Sequence, residues 1–170
     1  TTLANRLASD LNLPVFSRDG IYETLFDALV RDAHELPPLL GSASFSLLYW
    51  IAGSLLTARQ ALIVESFFGR PELRTAEFAA LRRRTDFEPI QILCKADGAV
   101  LLERFLARAS SGDRHAGYAD LEWLEQNKAR LLEGCLPPLA LGGQLLEIDT
   151  TTPASFDYQA ILRQVHAALV

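Results

Sequence analysis

Two carboxylates and three arginines are the residues of this sequence best suited to chemistry. Asp19 and Glu65 each follow a short apolar run, where a carboxylate can orient a hydroxyl, take its proton or hold a metal-bound water. Arg104 and Arg108 are four residues apart, so on a helix they share a face and can converge on one anion. Arg114 can reach the same anion from a Gly/Ser-rich segment. Because a guanidinium grips phosphate or carboxylate with two parallel donors, these residues predict an anion site with acid–base groups beside it.

Each of these residues also has a structural interpretation. Asp19 can cap a helix that begins at Gly20, and such a cap is compatible with a catalytic role. Glu65 can be a paired carboxylate within the fold. The arginines can form surface ion pairs with Glu103 and Asp113. The sequence leaves these alternatives open.

Short strands and helices must position these groups. The apolar runs predict strands at 14–17, 60–65, 89–96 and 145–149. Helical periodicity predicts helices at 3–11, after Gly20, at 44–57, at 72–84, after the cap Asp97, at 121–132 and at 158–169. The segment 110–117 has turn composition and is expected to be a mobile connection. Alternating strands and helices indicate an α/β fold with a parallel sheet between two helical layers.

One edge of that sheet should hold the ligand site. Right-handed crossovers place the carboxyl ends of all strands at the same edge, and ligands bind there in open α/β sheets. The segments that reach this edge are 17–19, 65–70, 95–97 and 149–152. Arg70, just beyond Glu65, is a further candidate for contact with a substrate.

Composition narrows the classes of protein. The 170 residues are 49% hydrophobic and carry a net charge of −5, which suits one globular domain and gives no general attraction to nucleic acid or to an anionic membrane. The apolar stretch 45–56 is shorter than the ~20 residues of a bilayer span. Two cysteines and no signal segment predict a cytoplasmic protein.

Five segments, in order, resemble the P-loop kinase-like ATP-binding proteins, a group that includes zeta-toxin-like and chloramphenicol-phosphotransferase-like enzymes. The resemblance covers nearly the whole chain. The matching segments are Thr1-Thr2-Leu3-Ala4 as the tail of a Walker A motif, Ser17-Arg18-Asp19 as a strand-end Asp, Ile63-Val64-Glu65 as the third strand, Arg104, Arg108 and Arg114-His115 as an arginine-rich lid, and Leu146 to Thr151 as the last strand.

The resemblance implies a three-layer αβα P-loop NTPase fold and a phosphotransferase that uses ATP and Mg²⁺. Thr1 would contact Mg²⁺ and Thr2 the phosphates, while Glu65 would hold an Mg²⁺-bound water or a substrate group. Asp19 would orient or deprotonate the acceptor hydroxyl, with Arg70 nearby. The lid arginines Arg104, Arg108 and Arg114 would contact the triphosphate, with Arg108 and Arg114 in catalytic roles and exposed in the open lid. Thr150 would lie on the adenine side.

The Gly-rich loop and lysine that define a P-loop do not occur in the 170 residues. Because the sequence also contains no methionine, we expect an apolar strand and that loop upstream of Thr1, and one domain over 1–170 with its lid at about 104–118. The expected partners are ATP and an unidentified small-molecule acceptor. The alternative is a nucleotide-binding regulatory or interaction module with weak or no ATPase activity. The sequence predicts no oligomeric state.

Overall fold

The computed structural model describes residues 2–29, 39–112, 114–152 and 155–169. Strands and helices alternate within these ranges, as the apolar periodicity predicts. The helices are α1 (Thr2–Leu11), α2 (Arg18–Leu29), α3 (Leu40–Thr57), α4 (Pro71–Arg82), α5 (Gly98–Ala109), α6 (Asp120–Leu132) and α7 (Tyr158–Leu169). The strands are β1 (Val15–Ser17), β2 (Ile63–Glu65), β3 (Ile90–Lys95) and β4 (Gln144–Asp149).

The strands form two parallel pairs. β1 pairs with β2 so that Ser17 lies opposite Glu65. β3 pairs with β4 so that Lys95 lies opposite Asp149. The predicted parallel direction is therefore confirmed. Within the described residues no strand joins β2 to β3 by hydrogen bonds, so the strands form two two-stranded sheets.

Two apolar clusters cover the strands, one built on α1 and α7 and the other on α3 and α4. Ile63 of β2 packs against the first cluster, and so do Ile90 and Ile92 of β3. Leu62 and Val64 pack against the second. Successive side chains of a strand point to opposite faces, so β2 is covered on both sides and the helices form layers above and below it. The buried members of the clusters are Leu7, Ile148, Tyr158, Ile161 and Val165 in the first and Ala52, Phe78, Leu81 and Leu139 in the second.

The start of α2 differs from the prediction. The helix begins at Arg18, not at Gly20. The Gly20 amide donates to Ser17 Oγ at 2.9 Å, so Ser17 supplies the cap and Asp19 lies in the first turn. The cap predicted for α5 is confirmed, since the carboxylate of Asp97 accepts from the amides of Ala99 and Val100.

Helix α3 is longer than predicted, with 18 residues from Leu40 to Thr57. It is the one helix of the described residues whose length and mean hydropathy of 1.3 would allow it to cross a membrane. Its Ser44 and Leu48 are completely buried within the domain. The described contacts place α3 against α2 and α4.

Candidate functional site

The carboxyl ends of β1 and β2 bring the two predicted carboxylates to one edge. Glu65 is the last residue of β2 and lies opposite Ser17, and Asp19 follows Ser17 by two residues. The parallel pairing of β1 and β2 therefore brings Asp19 and Glu65 to the same edge of the sheet, as the sequence predicts. Burial raises the pKa of the Cys94 thiol, and the charge of Glu65 raises it further. Glu65 thus lies close enough to β3 for its charge to act on that strand.

Asp19 lies near the segment that carries Arg114. Burial raises the pKa of the Tyr118 phenol, and the Asp19 carboxylate adds to that rise. The pKa of Arg114 is also raised, first by its hydrogen bonds to Asp120 and to a smaller extent by the charge of Asp19. The charge of Asp19 therefore acts on the segment that carries Arg114 and Tyr118. Asp19 stays half exposed and accepts a hydrogen bond from Arg18 Nη1 at 3.1 Å.

Arg114 is held in place rather than exposed. Its Nε and Nη2 donate to the two oxygens of Asp120 at 2.6 and 2.7 Å, and its guanidinium lies 3.7 Å from the centre of the Tyr118 ring. Its side chain is 21% exposed. In this docked position Arg114 is not exposed, because a two-pronged ion pair with the first turn of α6 fixes the side chain.

The segment around Arg114 is docked on α2 instead of standing free as a mobile connection. His115 Nε2 lies 3.1 Å from Asp27 Oδ1, and its ring packs edge-on against Phe26. The Tyr22 hydroxyl donates to the carbonyl of Gly117 at 2.8 Å. These contacts place a lid-like segment against α2 between Tyr22 and Asp27.

Arg104 and Thr150 are brought together, but by contacts within the fold. Arg104 Nη1 and Nη2 donate to the carbonyls of Thr150 and Thr151 at 2.9 and 2.8 Å. The Thr150 hydroxyl donates to the carbonyl of Lys95 at 2.9 Å. Arg104 therefore fixes the loop after β4, and a phosphate contact from it would compete with these bonds. Arg108 is exposed, with its guanidinium 5.6 Å from the Phe105 ring.

The remaining predicted residues lie around the same edge or outside the description. Thr2 is the exposed first residue of α1, and Arg70 is the exposed residue before α4. Thr1 lies outside the described residues, so only Glu65 of the predicted metal pair can be placed. No group of three or more His, Cys, Asp or Glu that could hold a metal ion is present in the described part of the chain.

An aromatic cluster beside Asp19 was not predicted. The guanidinium of Arg18 lies 4.7 Å from the Tyr22 ring and 5.4 Å from the Phe45 ring. A second guanidinium, that of Arg74, lies 3.5 Å from the centre of the Phe45 ring. A signal for Arg74 was present, because it shares the apolar stripe of α4 with Phe78, four residues on.

Two buried polar atoms near this edge, Arg18 Nε and Ser66 Oγ, have no hydrogen-bond partner among the described residues. Buried polar groups are nearly always hydrogen-bonded, so each of these atoms marks a place where a ligand or water can supply the missing partner. The buried phenols of Tyr118 and Tyr49 differ, because burial raises their pKa and the side chains of Glu23 and Glu77, which lie beside them, raise it further. Ser66 directly follows Glu65, so its hydroxyl belongs to the edge that carries the predicted site.

A solved structure matches this arrangement. The crystal structure of a protein from Chloroflexus aurantiacus J-10-fl, described as a "putative kinase", is similar to this chain with a TM-score of 0.82 and 40% sequence identity. The match covers 99% of this chain and 87% of that one. This chain belongs to the same kinase-like family. This chain matches no protein-family model, and no curated protein matches it.

The identity to the kinase-like structure extends over both strand pairs and all described helices, since it spans almost the entire chain. The mixed α/β fold of this chain therefore matches a fold that is known from a crystal structure. Asp19 and Glu65 of this chain lie at the strand edge where α/β proteins bind ligands, and Arg114 lies in the segment docked on α2.

Proposed function

We propose that this protein is a phosphotransferase that uses ATP and Mg²⁺ and moves the γ-phosphoryl group to a hydroxyl of a small molecule. The observation that carries the proposal is the 40% identity to a kinase-like structure over almost the whole chain. The position of Asp19 beside Arg114, at the carboxyl edge of β1 and β2, supports it. Phosphoryl transfer needs mainly positioning and charge neutralisation, which fits a site that combines the carboxylates of Asp19 and Glu65 with guanidinium groups.

Asp19 would act on the acceptor. Its half-exposed carboxylate can hydrogen-bond the acceptor hydroxyl and take the proton as the oxygen attacks the γ-phosphorus. The new bond joins the acceptor oxygen to phosphorus, the bond from the γ-phosphorus to the β–γ bridging oxygen breaks, and ADP leaves. Arg108, and Arg114 within its pair with Asp120, would place positive charge near the transferring group.

The residues present fit the nucleotide and the metal in part. The exposed N-terminus of α1 at Thr2 offers free amides and a positive helix end, both of which favour phosphate. Glu65 offers the oxygen ligand that Mg²⁺ prefers, directly or through water. When bound, Mg²⁺ would neutralise phosphate charge. We propose the hydroxyl of Thr1 as a second contact to Mg²⁺.

The test follows the fate of the γ-phosphoryl group. The full gene product is incubated with Mg-ATP and a panel of hydroxyl-bearing small molecules, and ³¹P NMR records whether a phosphate ester and ADP appear together. The proposal expects an ester with at least one acceptor and a much slower reaction in Asp19→Asn. Nucleotide binding without turnover across the panel would favour the regulatory module instead.

A further inference from the structure

Three guanidinium groups lie on aromatic rings near Asp19, and two of them make short hydrogen bonds to carboxylates. Arg74 Nη1 donates to Glu77 at 2.6 Å, and Arg114 makes two bonds to Asp120. Arg18 differs, because its hydrogen bond to a carboxylate is a single, longer contact of 3.1 Å from Nη1 to Asp19. Its Nε is buried and has no partner among the described residues.

The position of Arg18 keeps that donor from turning to water. The guanidinium lies between the rings of Tyr22 and Phe45, and the side chain is only 19% exposed. A buried donor without an acceptor costs roughly 1–3 kcal/mol, and more when it is charged. An acceptor atom supplied by a ligand would remove this cost.

The surroundings of Arg18 favour a negatively charged ligand. A Cβ placed on Gly41 would lie 3.1 Å from Arg18 Nη2, so the guanidinium packs against the first turn of α3. This 18-residue helix has no side-chain cap at Leu39. Its positive end and the positive guanidinium are therefore neighbours, and an anion near both would relieve their repulsion.

The same anion would lie next to the proposed acceptor base. Arg18 and Asp19 are consecutive residues of the first turn of α2 and hydrogen-bond each other. Ser66 Oγ, buried without a partner among the described residues, provides a further polar atom for the rest of a small hydroxylated molecule. One side of such a molecule would thus meet Arg18 and another would meet Asp19.

We propose that the phosphoryl acceptor is a small hydroxylated anion whose carboxylate or phosphate group accepts a hydrogen bond from Arg18 Nε while its hydroxyl faces Asp19. This inference rests on the proposed phosphotransferase function and names its substrate class. Arg18 is the residue that selects charged over neutral acceptors.

The experiment uses three matched probes: glycerol, glycerate and glycerol 3-phosphate, which share a hydroxylated three-carbon frame and differ in charge. Isothermal titration calorimetry measures their binding to the full gene product saturated with Mg-ADP, so that the nucleotide site is not available to the anions. The tested variants are Arg18→Gln and Arg18→Lys. Arg163→Gln removes an exposed arginine of α7 and serves as the charge control.

We expect glycerate or glycerol 3-phosphate to bind and glycerol not to bind. Arg18→Gln should weaken anion binding by roughly 10–100-fold, the usual worth of a charge-assisted hydrogen bond. Arg18→Lys keeps the charge and the packed stem, so it should fold like the wild type yet bind more weakly, because it lacks the Nε donor. Arg163→Gln should bind as the wild type does.

Three results would overturn the inference: equal binding of glycerol, no binding of either anion, or unchanged anion binding in both Arg18 variants. The relative affinity of the two anions tells a carboxylate subsite from a phosphate subsite. The proposed function is judged separately by phosphate-ester formation. Transfer to neutral acceptors alone would keep the phosphotransferase and reject the anionic class, whereas Arg18-dependent anion binding without any transfer would reject the phosphotransferase.

Discussion

At the scale of single residues, Ser17 determines what Asp19 can do. Because the Ser17 hydroxyl caps α2, the carboxylate of Asp19 is not needed for that purpose. It is half exposed at the edge of β1 and acts electrostatically on Tyr118 and Arg114. A carboxylate in this position is available to a substrate.

Replacing Asp19 with Asn should therefore damage transfer selectively. Removal of a base that also orients the hydroxyl should lower the rate of transfer by ~10²–10⁴ and leave nucleotide affinity and acceptor-free ATP hydrolysis largely intact. Arg108→Ala should slow both transfer and hydrolysis, because its charge would act on the transferring group. Measuring the three quantities for both variants checks the assignment. Loss of nucleotide binding in Asp19→Asn, with wild-type behaviour in Arg108→Ala, would show that donor and acceptor sides are exchanged.

Arg114 should matter for stability as well as for chemistry. Arg114→Ala leaves the Asp120 carboxylate, 12% exposed, without its two-pronged partner, and the free energy of unfolding should fall by roughly 1–3 kcal/mol. Arg108→Ala, at an exposed position, should change it by about 0.5 kcal/mol or less. Urea denaturation of both variants measures the difference. Equal stability of Arg114→Ala and the wild type would mean that the ion pair does not hold the segment.

At the scale of elements, the segment 114–118 depends on a close approach to α2. A Cβ on Gly117 would lie 2.7 Å from Phe26 Cδ2, whereas a Cβ on Gly112 would meet nothing within 4 Å. Glycine at position 117 therefore allows the Tyr22 and His115 contacts that dock the segment. The two glycines form a matched pair for testing that contact.

Gly117→Ala should undock the segment, because the added methyl group collides with a buried aromatic ring. We expect faster cleavage between 110 and 118 in limited proteolysis, and a rate of transfer at least several-fold lower because the lid closes less often. Gly112→Ala should be cleaved at the wild-type rate. Identical cleavage of the two variants would contradict the docking.

The sequence predicts most elements and the meeting of Asp19 with Glu65, because apolar periodicity and parallel strand direction depend on local pattern. It does not predict the partners of the arginines. Arg104 binds carbonyls more than 40 residues away, and Arg114 binds the carboxylate of Asp120. Such choices follow from how α5, α6 and the loop after β4 pack, which no spacing rule contains.

At the scale of the whole molecule, the four strands of the described residues form two separate pairs under shared helices. β2 and β3 both pack under α1 and α7, yet within the described residues they do not pair with each other. Unpaired strand edges are a liability that proteins normally cover. The edges of β2 and β3 therefore offer pairing positions to a further strand.

The central claim, a nucleotide site on which the proposed phosphotransferase depends, is tested most directly by thermal melting of the full gene product with and without Mg-ATP, because this needs no knowledge of the acceptor. A ligand at 100 times its dissociation constant adds about 2.7 kcal/mol of stability, so the account predicts a melting temperature raised by several degrees in the wild type and in Asp19→Asn. Mg²⁺ alone is the control. No shift of the wild type at millimolar Mg-ATP would contradict the account.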